Sequence, residues 1–210
     1  MSKLSVLLII GSGFVVLGLA ALAFGLGQDS RTLQDNRIPD FALKALSAPT
    51  ASKASIFIAK DGTITRYAVH LGREDVPVYL HSMADEKIGK GEDIAYEAEI
   101  YPDGGDVYEI YRRVGGKEKQ LSILHRDRSV KYVGTQLEEK EIPEKIQATL
   151  KNVKGFTFEK CIHKEGPHFS EYHLRGSIAG TPHRVRIDRD GNLLAVHRRI
   201  AGDYEVAVQD

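Results

Sequence analysis

Ile142-Pro143-Glu144-Lys145-Ile146-Gln147-Ala148-Thr149-Leu150-Lys151-Asn152-Val153 opens the stretch that decides the fold. Ile142, Ile146, Leu150 and Val153 recur at helical spacing, Pro143 stands in the first turn and Gly155 follows the end, so a short amphipathic helix is predicted. Past Gly155 the period changes from helical to alternating. Phe158 and Ile162 set one phase, and Tyr172-His173-Leu174, Gly180 and Val185-Arg186-Ile187 continue the pattern. Alternation predicts strands with one buried face. Asp188-Arg189-Asp190-Gly191-Asn192 then predicts a tight hairpin, because Gly accepts the positive φ that such turns require.

Working outward, the same grammar occurs upstream. Val76-Pro77-Val78-Tyr79-Leu80 opens a second helical stretch with Val76, Leu80 and Ala84 in phase and Gly91 as its stop. Ile94, Tyr96, Ala98 and Ile100 alternate with Ala95, Glu97 and Glu99. Tyr108, Gly116 and Ile123 each stand 64 positions before Tyr172, Gly180 and Ile187, which makes the match a register. The closing turn, Arg126-Asp127-Arg128-Ser129, carries Arg128 where the second copy has Gly191. A third hairpin, Ile56 to His70 around Asp61-Gly62, follows Ile38-Pro39 and reads as a worn copy.

The order of these motifs resembles the PepSY family, in particular the tandem PepSY-like units of exported bacterial proteins that share the architecture of β-lactamase inhibitor proteins. Pro143, Gly155, Tyr172, Leu174, Gly180, Ile187, Asp188, Asp190 and Gly191 carry the resemblance. It implies a role in binding or restraining other envelope proteins, often peptidases, with no catalysis and no family site residues to transfer. The expected fold class is α+β: an N-terminal apolar helix, then tandem units of a short helical element packed on an antiparallel β-sheet. The expected segments are an anchor or signal peptide over 1–27, a polar tether over 28–37, a degenerate helix plus hairpin over 38–75, and PepSY-like units over 76–138 and 139–210.

Leu4 to Gly27 is an uncharged run preceded by Lys3. As a helix it is about 36 Å long, enough for a hydrocarbon core of about 30 Å. Two readings stand: a single-pass membrane anchor with the bulk extracytoplasmic, or a secretory signal cut near Ala23 to release a periplasmic or secreted protein. The remainder is expected to be a soluble monomer.

Composition limits the function. The chain has 210 residues, 29 basic and 29 acidic, so no bulk field draws it to nucleic acid. Its single cysteine, Cys161, excludes an intrachain disulfide and a multi-cysteine zinc site. Cys161, His163, His168 and His173 lie close together without closed-site zinc spacing, and Asp188-Arg189-Asp190 lacks the glycine and glutamate placement of a calcium loop. His125-Arg126-Asp127 lacks the other parts of a kinase site, and Gly176-Ser177-Ile178-Ala179-Gly180 is not a nucleophile elbow. No catalytic residue, metal ligand or cofactor is therefore assigned.

A membrane-tethered or secreted protein-binding module, not an enzyme, is the leading expectation. The alternatives are a hydrolase or metal-dependent enzyme assembled from distant His and Asp residues, and a structural subunit of an envelope complex. The expected partner surface is the out-of-phase face of the second unit, where His173, Arg175, Arg184, Arg186 and Arg198 form an acid-free set suited to an acidic partner or an envelope peptidase.

Overall fold

The computed structural model describes residues 45–101 and 104–200. The apolar leader and the tether lie outside the described residues; among those described, no helix is long and apolar enough to cross a membrane.

Ten strands form one antiparallel sheet in chain order: β1 (Lys53–Ile58), β2 (Ile64–Leu71), β3 (Glu92–Ile100), β4 (Val107–Val114), β5 (Lys117–Leu124), β6 (Val130–Leu137), β7 (Phe156–Glu165), β8 (Ser170–Ile178), β9 (Thr181–Asp188) and β10 (Leu193–Arg198). Two short helices interrupt the meander, α1 (Val78–Lys87) between β2 and β3 and α2 (Glu144–Lys151) between β6 and β7. Residues 76–138 thus supply α1 and β3–β6, while 139–200 supply α2 and β7–β10.

The expected α+β class, with tandem helix-on-sheet units, is corrected by this continuity. β6 pairs with β7 from Val133↔Glu165 to Leu137↔Cys161, and β2 pairs with β3 from Tyr67↔Ile100 to Leu71↔Tyr96. Each ladder satisfies backbone groups that a separate unit would leave unpaired along an edge. The helices, ten and eight residues long, are appendages of one sheet rather than a second layer. The N-terminal apolar helix of the same expectation falls outside the described residues.

Pro77 and Pro143 each cap their helix in extended conformation instead of sitting inside the first turn. Leu80 and Ala84 of α1 are fully buried, and α1 stops at Gly89, whose φ of 92° follows its N–H bond to the Ala84 carbonyl. Gly91, expected as that stop, serves a different need: a Cβ there would meet the Arg113 carbonyl oxygen at 2.1 Å. Beneath α2, Ile142, Ile146, Cys161, Tyr172, Leu174, Val185 and Ile187 form a buried cluster, with Leu150 and Phe158 packed at its margin. Tyr108 and Ile123 are buried as well.

The ladders of the described residues shift register at five places. One between Phe158 and Lys160 brings Cys161 opposite Leu174, into the helix-side core, and turns Ile162 to the other face opposite His173. Burial pushes the Cys161 thiol up to about 12, so it is an inert core group. Arg128 adopts a φ of 59°, performing without glycine the turn that Gly191 performs in the second half; its guanidinium lies 4.7 Å from the Tyr79 ring.

Candidate functional site

Directly opposed residues of antiparallel strands share a face, so the ladders define the face that the helices leave uncovered. It carries Phe57 from β1, Arg66 and His70 from β2, Glu97 and Glu99 from β3, and Glu109 and Tyr111 from β4. Gln120 and Ser122 follow from β5, Tyr132 from β6, Lys164 from β7, and Glu171, His173 and Arg175 from β8. Arg184 and Arg186 complete it from β9, with His197 from β10. A flat sheet would leave such a face in water. Instead Glu99, Glu109, Gln120, Ser122 and Lys164 are all buried, and the Arg184 guanidinium of β9 lies 5.6 Å from the Phe57 ring of β1. The sheet therefore curls, and its polar face is the inner one.

At the centre, the carboxylates of Glu97, Glu99 and Glu109 place an oxygen each within 4.8 Å of one another. Each is already committed to protein donors. His70 Nε2 lies 2.8 Å from Glu97, Arg66 lies 3.1 Å from Glu99, and the Tyr101 hydroxyl donates to Glu99 at 2.7 Å. The Tyr111 hydroxyl stands 2.7 Å from both Glu97 and Glu109, and Lys164 donates to the Tyr132 hydroxyl, which donates to Glu109. Burial alone would raise the Glu97 carboxyl, but the His70 and Tyr111 contacts and the Arg184 charge hold it down at about 2. Burial and then the Glu109 charge push the Glu99 carboxyl up. Burial depresses the Lys164 ammonium. The donor set fits a charge-compensated protein network better than a cation, which would compete with His70, Arg66 and the hydroxyls of Tyr101, Tyr111 and Tyr132 for the same oxygens.

The structure groups four of the five sequence-assigned residues and removes one. His173, Arg175, Arg184 and Arg186 all face inward. Arg198 does not: a bulge between Leu193 and Ala195 places it opposite His183, on the helix side. Nor is the set free of acid. Glu171 accepts from Arg186 at 2.9–3.0 Å and lies 3.0 Å from His173 Nε2. Burial chiefly depresses the His173 ring, to about 3, so it is neutral at ordinary pH. Arg175 and Arg184, directly opposed, have no hydrogen bond or ion pair among the described residues. His163 stacks on Tyr172 with ring centroids 4.4 Å apart and shares a hydrogen bond with Ser170, so it belongs to the helix-side packing and not to a site with Cys161.

Sequence reasoning passed over Arg66, Glu97, Glu99, Glu109, Tyr132 and Lys164. Their signal was the polar half of each alternating strand, which by itself reads as a solvated face. Glu171, two positions before His173, was legible in the same phase.

No family model and no curated protein matches the chain. Among solved structures the chain is similar to a DUF2874 family protein from Bacteroides uniformis, at 10% identity and a TM-score of 0.47 over 59% of this chain and 89% of that one. It is similar also to a second DUF2874 family protein, from Bacteroides ovatus, at 13% identity and a TM-score of 0.45 over 58% and 86%. A BLIP-like protein from Bacteroides fragilis matches at 15% identity and a TM-score of 0.43 over 63% of this chain and 93% of that one.

Proposed function

We infer that the chain is a non-enzymatic, extracytoplasmic protein-binding module that receives an acidic partner surface on the β8–β9 part of its inner face. The observation that carries this reading is the pair Arg175 and Arg184. In a face where the other arginines, Arg66 and Arg186, each hold a carboxylate, these two hold none among the described residues. Arginine presents a planar donor fork suited to carboxylates and is enriched at binding hot spots. The uncharged run from Leu4 to Gly27 supports export, as an anchor or a cleaved signal. The motif order supports a PepSY-like module that restrains an envelope protein.

The test is chemical cross-linking of the full chain in its membranes, followed by identification of the captured protein. The same capture is then repeated with Arg175→Glu and Arg184→Glu combined, at low and moderate salt. The double variant is expected to fold and to lose its partner. A folded double variant that keeps both its partner and the salt dependence of capture contradicts the reading.

A further inference from the structure

The ladders set Arg175, Arg184 and His197 in a row across β8, β9 and β10, each directly opposed to the next and all on the inner face. Side chains opposed in this way stand about 4.5–5.5 Å apart at their Cβ atoms. Two like charges are thus held side by side, and neither makes an ion pair among the described residues. Arg66, whose guanidinium lies 3.7 Å from the Phe57 ring, approaches from the opposite end of the curled sheet, and its Nε is buried without an acceptor. The acids nearest in charge, Glu97 and Glu99, are spent on His70, Tyr111, Arg66 and Tyr101. Burial first, and then the Arg175 and Arg66 charges, depress Arg184 below the usual arginine range. A cation withdrawn from water beside two others is costly unless something negative joins it. Among the described residues no acid pairs with it directly: Glu97 and Glu99 act on Arg184, and Glu118 on Arg175, only through space.

We propose that Arg184 and Arg175 form an oxyanion-binding site on the inner face, built to take the carboxylate of an acidic side chain presented by a protein partner. The proposal rests on the binding reading above and names the chemical group recognised. The guanidinium fork of Arg184 can donate two parallel N–H bonds to such a group. Phe57 walls the site on one side, and His197, depressed by burial and by Arg186, Arg184 and Arg66, adds a neutral ring beside it. Glu171 stays with Arg186, so the partner carboxylate displaces no internal ion pair.

The experiment uses the full chain in non-ionic detergent at constant ionic strength, with three probes: inorganic phosphate, a hexaglutamate peptide and a hexalysine peptide. Binding is measured by calorimetry for the wild type, Arg184→Gln, Arg184→Lys and Arg198→Gln, with circular dichroism checking that each is folded. The wild type is expected to bind hexaglutamate at least tenfold more tightly than phosphate, and not to bind hexalysine. Arg184→Gln should weaken both anions at least tenfold, Arg184→Lys by an intermediate factor, and Arg198→Gln, on the other face, by less than threefold. Equal losses in Arg184→Gln and Arg198→Gln, or no binding of either anion by the wild type, overturn the site. Phosphate bound as tightly as hexaglutamate overturns its assignment to a protein carboxylate in favour of a free oxyanion. Failure to capture any partner in membranes would count against the module reading alone, since these titrations need no partner.

Discussion

At the scale of the residue, the inner face consists of charges that depend on one another. Arg66 and Glu99 are an ion pair with side chains 18% and 4% exposed, so removing one partner strands the other away from water. Arg66→Ala is expected to cost about 3–5 kcal/mol near neutral pH. The cost should shrink as pH falls, because an unpaired Glu99 then takes up a proton; urea unfolding at two pH values reads both. Equal destabilisation at both pH values would mean that Glu99 is not the group left stranded. Two further groups on the inner face add to the acid sensitivity. The His173 ring is depressed from its ordinary 6.5 to about 3, so its contribution is complete above pH 6.5 and is lost as pH falls from there towards 3. The Glu97 carboxyl is depressed from 4.5 to about 2, and its contribution is lost between those values. His173→Gln should therefore flatten the stability profile between pH 6.5 and about 3. An unchanged slope there would assign the acid response to other groups.

At the scale of the element, the two helices and most strands of residues 76–200 were legible because apolar spacing changes from helical to alternating at glycines, whereas β6 carried no such signal. What the sequence withheld lies in the bulges. Glu159 and Leu194 carry no glycine or proline to announce a changed phase, yet the first bulge sends Cys161 into the core and the second moves Arg198 off the arginine face. Two substitutions test the packing. Ile146 is fully buried in the cluster beneath α2, so Ile146→Ala should cost about 2–5 kcal/mol in chemical unfolding. A change within about 0.5 kcal/mol, the surface range, would remove α2 from the core. Gly176 is required for a different reason. A Cβ there would stand 2.1 Å from the Thr157 carbonyl oxygen and 2.6 Å from the Phe156 ring, so Gly176→Ala must part β7 from β8. It should cost about 1–3 kcal/mol or more, and a variant as stable as the wild type would contradict the close approach of the two strands.

At the scale of the whole molecule, the continuity of the sheet and its curl bring the polar residues together. Alternation shows that Glu97, Glu109 and Lys164 leave the helix-side core; it does not show that β1 and β9 approach each other over them. That knowledge resides in pairings between residues more than a hundred positions apart, such as Phe57 with Arg184, to which local periodicity is blind. The repeat likewise suggested separate units, because two similar halves look alike whether or not their edges are joined. The joining ladder runs from Val133↔Glu165 to Leu137↔Cys161, and the chain's single cysteine sits on it, opposite Leu137 on one side and Leu174 on the other. Native-state labelling of Cys161 by a thiol reagent, followed against urea concentration, therefore reads the opening of the seam directly. Cys161 is expected to become reactive only through global unfolding, with the free energy and urea dependence of the whole transition. Labelling through a smaller opening, with a markedly lower urea dependence while β1–β6 remain folded, would contradict a single continuous sheet.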